Sequence, residues 1–347
     1  MSLDVMVADP SMRVPLGTQT GDSAGRVANA QAQGSHPDDI RRTAESSPAT
    51  SEIVLSAKFR DFLELTKPRI VTMILVTTLI AAVVAAGGAT GFWLLFHLFV
   101  GVGMVAGSAG AMNQVWEHKI DAEMERTKRR PLPAGRMAIA TAASFSVLLG
   151  VVGTAYLTYF CGITPAMVGV ATWIAYVPIY TPLKTRSAWN TTVGAVSGAL
   201  PVLIGYTAAG GSLADGRGWL LFGVLAAWQY PHFMAIAWLY RRQYSEAGFQ
   251  MTTTVEPTGR SAGWQSIVGM IALIACLVGL ATYHWSSSEL LTYVWIAALL
   301  LVSFPMSRAA WLFAKDRNDV TARKLLRASL LQLPASLLLV TASALVY

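Results

Sequence analysis

Asn113, Glu117 and Asp121 recur every fourth residue at the end of a long apolar run. On a helix that spacing lines them up along one face. An amide and two carboxylates in a row are hard oxygen donors, the kind that hold Mg²⁺ jointly with substrate phosphates. Arg126, Lys128, Arg129 and Arg130 follow at once, and guanidinium forks match phosphate oxygens in pairs. Acid donors beside basic forks are what a Mg²⁺–diphosphate site requires. The competing reading is a solvated helix end with i,i+4 ion pairs, its basic residues set by topology. Carboxylates at the boundary of an apolar run are costly and usually functional, which favours a site.

A second constellation lies further on. Trp228, His232, Ile236 and Tyr240 share one helical face, with His232 inside an apolar run. A lone histidine on such a face is often a hydrogen-bonded core residue. Flanked by Trp and Tyr, it also suits a flat aromatic ligand, an iron atom, or a carbocation facing ring quadrupoles. Arg241, Arg242 and Glu246 stand at the end of that run. Lys67 and Arg69 open the first run. Lys184 and Arg186 are spaced for an anionic group, although a short basic loop is also what topology demands. Gly194, Ser197 and Gly198 read as close helix packing. His36, His97, His118 and His284 carry no assigned role. Cys161 and Cys276 lie far apart in apolar stretches, which gives neither a disulfide framework nor a metal spacing, so they read as structural thiols.

The elements that must position these groups are membrane spans. Of the 347 residues, 54% are hydrophobic and 13% charged, against about a quarter charged in soluble domains. Nine apolar segments are expected, at 70–86, 92–112, 140–159, 162–181, 190–209, 219–240, 264–283, 290–311 and 327–346, each able to cross about 30 Å of hydrocarbon. Pro165, Pro178 and Pro182 predict a kink in the fourth, and Pro201 one in the fifth. The fold class is therefore all-α, a polytopic transmembrane helical bundle of about nine helices. The net charge of +7 reflects basic loops rather than nucleic-acid binding. All but Arg217 of the 26 Lys and Arg residues fall in the N-terminal segment or in the loops after even-numbered spans. The positive-inside rule then puts the N-terminus and those loops in the cytoplasm and the C-terminus outside. Residues 1–57 lack an apolar run and are rich in acids, unlike a signal or transit peptide. They read as a disordered cytoplasmic tail, and 58–347 as the transmembrane domain. The two constellations follow spans two and six, which predicts two four-helix halves facing each other across a cavity.

These residues resemble the UbiA-type membrane prenyltransferases. The matching pieces are Leu65–Ile70, the Asn113…Glu117…Asp121…Arg126-Thr127…Arg130-Pro131 block, Tyr180–Lys184 with Asn190 and Thr191, and the Trp228-Gln229…Pro231-His232-Phe233 run. The Arg126–Pro131 and Trp228–Phe233 pieces are similar to the heme branch, the protoheme IX farnesyltransferases or heme O synthases. The resemblance implies a helical bundle around a central cavity open to the cytoplasm and the bilayer of a bacterial inner membrane. It implies Mg²⁺-dependent ionisation of farnesyl diphosphate, capture of the allylic cation by a vinyl group of heme b, and water addition to give heme O. It further implies that Asn113, Glu117 and Asp121 hold Mg²⁺ and diphosphate, and that Arg126 and Arg130 neutralise the departing charge. Lys67, Lys128, Lys184, Arg186, Trp228, Tyr240, Tyr244 and Glu246 would line the substrates, with His232 a contact or axial ligand of the heme iron. A heme A synthase is the downstream partner implied. One departure stands out: where the family's second motif has Asp before Tyr, this chain has Gln243 before Tyr244. Gln offers a carbonyl but no charge, so a second metal would rely on Gln243 or Glu246. Two other readings stay open: prenylation of a different aromatic acceptor such as a quinone precursor, and transport of an anionic solute. Clustering of nearly all charge at one membrane face favours an enzyme over a transporter.

Overall fold

A computed structural model describes residues 58–283 and 288–346. The 1–57 tail, His36 and His284 lie outside the described residues. Nine helices among those described are long and apolar enough to cross a membrane. They are α1 (Pro68–Ala85), α2 (Phe92–Glu123), α3 (Ile139–Cys161), α4 (Ile163–Leu183), α5 (Asn190–Ala208), α6 (Gly216–Leu239), α7 (Arg260–Thr282), α8 (Glu289–Lys315) and α9 (Asp319–Val346). The expected spans are all present; most ends move by a few residues, α9 starts eight residues earlier than expected, and α2 runs on through Asp121 as the spacing required. A short helix over 58–65 precedes α1, and short helices at Arg241–Glu246 and Thr252–Val255 follow α6.

The helices pack as two closed groups of five and four rather than four and four. Helices α1 to α5 pack in sequence and close where α5 meets α1; α6 to α9 close where α9 meets α6. The groups join through α5 on α6 and α9 on α1. The extra member belongs to the first group because α5 and α1 cross almost in backbone contact. A Cβ at Gly205 would stand 1.9 Å from the Thr78 carbonyl oxygen. Thr78 Oγ1 donates to the Pro201 carbonyl at 3.1 Å across the same crossing. Lipid offers no hydrophobic drive to pair helices, so small residues and interhelical hydrogen bonds supply the contact. Gly194 and Gly198 behave as expected: their added Cβ atoms would meet the Tyr180 ring and Gln229 Oε1.

The proline-rich part of α4 where a kink is expected is a π-helical turn at Ala175–Tyr180 with Pro178 inside it, whereas α5 runs as one helix through Pro201. Thr181 closes the turn, its Oγ1 donating to the Tyr176 carbonyl at 2.9 Å. Such wide turns are frequent at functional sites. This one aims Tyr176 and Tyr180 at the interior, where both line the cavities described next. Cys161 and Cys276 are free thiols, partly buried.

Candidate active site

The end of the bundle where α2 terminates holds a polar compartment of about 30 Å³ lined by Lys67, Glu117, Asp121, Arg126, Arg130 and Lys184, among others. The face of α2 predicted from sequence is real: Asn113, Glu117 and Asp121 are all buried. An unpaired ion at that depth is prohibitively costly, and each donor has a cationic partner. Lys184 Nζ donates to Glu117 Oε1 at 2.7 Å, and Arg130 Nη1 to Asp121 Oδ2 at 2.7 Å. Lys67 Nζ donates to Asn113 Oδ1. The Asn113 amide is fixed in turn by donating to Thr181 Oγ1 at 2.9 Å, which ties α2 to the end of the π turn.

Lys67 is the one non-glycine with positive φ among the described residues, at 55°. A left-handed backbone costs such a residue about 1–2 kcal/mol, and here it precedes Pro68 at the start of α1. The conformation delivers the ammonium to the polar compartment. Burial, helped by the neighbouring Arg130 and Lys184 charges, pushes Lys67 down to about 7. Burial also works against the Lys184 cation, but Glu117 beside it more than offsets this and holds its pKa above the usual lysine value.

Arg126 differs from the other cations. Its Nε and Nη1 are buried without a hydrogen-bond partner, and its guanidinium lies 5.8 Å from the centroid of the Tyr240 ring. Buried donors left bare are expensive. A guanidinium lining a cavity in that state is prepared for an anion with paired oxygens.

Above this compartment an apolar cavity of about 150 Å³ extends to membrane depth. Lys67, Tyr176 and Tyr180 line both spaces and form the shared wall. Trp228, His232 and Phe233 line the apolar space on α6. Ser329 on α9 fixes two of them. It donates its own hydroxyl proton to the Leu326 carbonyl at 2.7 Å, so its oxygen accepts from His232 Nδ1 at 2.8 Å. Its carbonyl accepts the Trp228 indole N–H at 2.9 Å. His232 therefore carries its proton on Nδ1, stacks on Trp228 with centroids 4.6 Å apart, and keeps a buried, unpartnered Nε2.

The two constellations meet, since Tyr244 lines the polar compartment opposite Asp121. Tyr240 leaves the expected face because α6 ends at Leu239 and the chain turns there; it packs instead beneath Arg126. Ile236 is buried. Lys128, Arg186 and Glu246 are exposed and do not line the compartment; Lys128 pairs with Glu125. Gln243 is partly buried with Oε1 unpartnered, also outside the lining. Sequence reasoning missed Tyr176, Met124, Phe249, Met251, Trp173 and Ser329. Pro178 marked the first of these, through the turn it occupies; the others carry no local signal.

The UbiA prenyltransferase family matches residues 74–331, most of the chain. The chain belongs to the UbiA prenyltransferase family. One relative within it is the protoheme IX farnesyltransferase of Rhodopirellula baltica, 57% identical over 284 residues, which span 80% of this chain and 98% of the relative. Two solved UbiA-type structures share the fold. A digeranylgeranylglyceryl phosphate synthase superposes with a TM-score of 0.66 at 16% identity, covering 84% of this chain and all of the other. A UbiA homologue from Archaeoglobus fulgidus bound to DMAPP and Mg²⁺ gives 0.55 at 14% identity, covering 81% and 99%. With nine apolar helices, this UbiA family member is a multi-pass membrane protein.

Proposed function

We propose that the chain transfers farnesyl from farnesyl diphosphate to a vinyl group of heme b, giving heme O and diphosphate. The observation that carries the acceptor is the 57% identity, over nearly the whole relative, to a protein named for that reaction. The two joined compartments support the donor: a cationic end for a diphosphate and an apolar cavity for its hydrocarbon chain.

In this reading Lys67, Arg126, Arg130 and Lys184 bind the diphosphate. Asn113, Glu117 and Asp121 fit Mg²⁺: they are buried hard-oxygen donors on one wall, and too few to enclose the ion without phosphate oxygens. Among the described residues no group of three His, Cys, Asp or Glu could hold a metal by itself; phosphate oxygens of the substrate would supply the remaining donors. The chemistry Mg²⁺ supplies when bound is neutralisation of charge on the leaving group. The C1–O bond breaks with its electron pair passing to diphosphate, and the four cations stabilise that charge. The Tyr176 and Tyr180 rings on the shared wall face the allylic cation. The vinyl π electrons close the new C–C bond; water then adds to the resulting cation and gives up a proton. His232, fixed by Ser329, offers its bare Nε2 lone pair to the heme iron. Tyr244 and Tyr240 close the far side of the diphosphate site. Gln243 and the exposed Glu246 leave that side without a carboxylate in the lining, so α2 bears the metal. The basic loops support an active-site end in the cytoplasm and a C-terminus outside, and the family resemblance supports a bacterial inner membrane. A heme A synthase is the partner that would consume the product.

Expression in a host lacking heme O synthase, followed by chromatography and mass spectrometry of extracted hemes, tests the assignment. Farnesylated heme is expected. A membrane-inserted, abundant protein that makes none, while prenylating a quinone precursor, would move the chain to another acceptor.

Lys67 gives a pH dependence. With its pKa near 7, it loses charge as pH rises through neutrality, so an anion arriving above that pH must bring a proton with it. Calorimetric affinity for inorganic diphosphate with Mg²⁺ is expected to weaken between about pH 6 and pH 8 relative to Lys67→Arg, which stays charged throughout. Parallel pH profiles for the two proteins would remove Lys67 from the anion site.

A further inference from the structure

We propose that Gln114 is a positioning residue that places the Lys67 ammonium in the polar compartment; the inference rests on the diphosphate reading above. Gln114 follows Asn113 on α2 and is buried, yet it lines neither cavity. Its Nε2 donates twice, to the Glu64 and Leu65 carbonyls, each at 3.1 Å. Those carbonyls end the short helix over 58–65, and a helix leaves its last carbonyls without partners of its own. Leu65 is fully buried, so its carbonyl has no water to turn to. The Glu64 carbonyl also accepts the Lys67 backbone N–H at 3.2 Å. Gln114 therefore holds the turn that leads directly into Lys67.

The left-handed backbone of Lys67 needs such a hold. A conformation of that kind persists in a residue with a side chain only where its surroundings over-determine it. The surroundings here are one face of α2. A Cβ at Gly110 would stand 2.9 Å from the Thr66 carbonyl oxygen, so the incoming chain lies directly on the helix backbone. Gln114 takes the chain one turn further along the same face. Asn113 receives the Lys67 ammonium itself. Consecutive residues of α2 thus hold the two ends of one lysine, Gln114 its backbone and Asn113 its charge. Released from Gln114, the turn can relax to negative φ, which points the Lys67 Cβ elsewhere and withdraws the ammonium from the compartment.

The test is a double-mutant cycle on the full-length protein in detergent, read as calorimetric affinity for inorganic diphosphate with Mg²⁺. Gln114→Met keeps the length of the side chain and removes both hydrogen bonds; two bonds of ordinary strength correspond to a loss of about tenfold. Lys67→Met should lose at least as much. In the double variant, Gln114→Met should cost less than about twofold beyond Lys67→Met, because the group it positions is gone. Gln332→Met is the control. It deletes another buried amide, one that donates to Ser336 Oγ at 2.8 Å within α9. Its diphosphate affinity should stay within about twofold of wild type, whatever happens to Tm. Should Gln114→Met fail to accumulate, Gln114→Asn, which keeps the amide but falls short by one methylene, carries the cycle. Losses that multiply in the double variant, or wild-type affinity in Gln114→Met, would make Gln114 only a cap for the short helix and overturn the inference. Wild-type affinity in Lys67→Met is a separate failure: it removes Lys67 from the anion site and takes the inference with it.

Discussion

Asp121→Asn is expected to lower heme farnesylation by at least about a thousandfold while the protein still inserts and accumulates. Asn keeps the size of the side chain and one carbonyl oxygen but removes the charge that pairs with Arg130 and that the proposed Mg²⁺ site would use. Asp121 is buried on the α2 wall, with Arg130 at 2.7 Å, so no solvent screens the loss. Activity alone would not separate a metal defect from a distorted site. Mn²⁺ binding in the presence of inorganic diphosphate should therefore weaken in parallel, by about ten- to a hundredfold. Glu246→Gln is the matched control: the side chain is exposed and outside the lining, and both readouts should stay near wild type. Wild-type turnover in Asp121→Asn would take that residue out of the metal site. Loss of Mn²⁺ in Glu246→Gln would instead give the far side of the compartment a carboxylate after all.

Gly205→Ala should be the most damaging single methyl in the protein. The added carbon would lie 1.9 Å from a backbone oxygen of α1, and a backbone atom cannot rotate away as a side chain does. The α5–α1 crossing would have to open, along with the Thr78–Pro201 hydrogen bond. Overpacking typically costs 1–3 kcal/mol, and a helix crossing closed on a carbonyl belongs at or beyond about 3 kcal/mol. Gly103→Ala provides the contrast, since its Cβ would meet only Leu75 Cδ1 at 3.9 Å, an ordinary contact. Unfolding in detergent and membrane yield should separate the two by several degrees in Tm. Equal behaviour would mean the helices are not held at that distance.

The sequence carried the spans and the α2 ligand face because both are periodic: nine apolar runs, and Asn113, Glu117 and Asp121 at intervals of four. Local repetition needs no knowledge of neighbours. Lys67 and Lys184 were legible for a related reason, as cations at the ends of apolar runs. The role of Ser329 was not legible. A serine in the first half of the last span has no distinguishing neighbours, and its meaning comes from a histidine 97 positions away. Trp173 likewise reads as one more lipid-facing aromatic until Ser108 is found beside it. Arg186 and Lys128 fail in the opposite direction: their type and spacing suit an anion, but each follows a helix end that turns them outward to solvent. The five-and-four grouping was hidden because it depends on the missing side chain of Gly205.

The site contains its own counterions. Glu117 rests on Lys184, Asp121 on Arg130, and Asn113 on Lys67. In the proposed reading an arriving diphosphate finds only Arg126 bare; the other cations it would take from groups that already hold them, and the carboxylates so freed would then be available to a metal. Binding becomes a change of partners at nearly constant charge, which suits a compartment walled from water. The exchange also runs backwards. Once the hydrocarbon has left, the carboxylates compete for the same lysine and arginine, so the product is pushed out by the groups that helped admit the substrate.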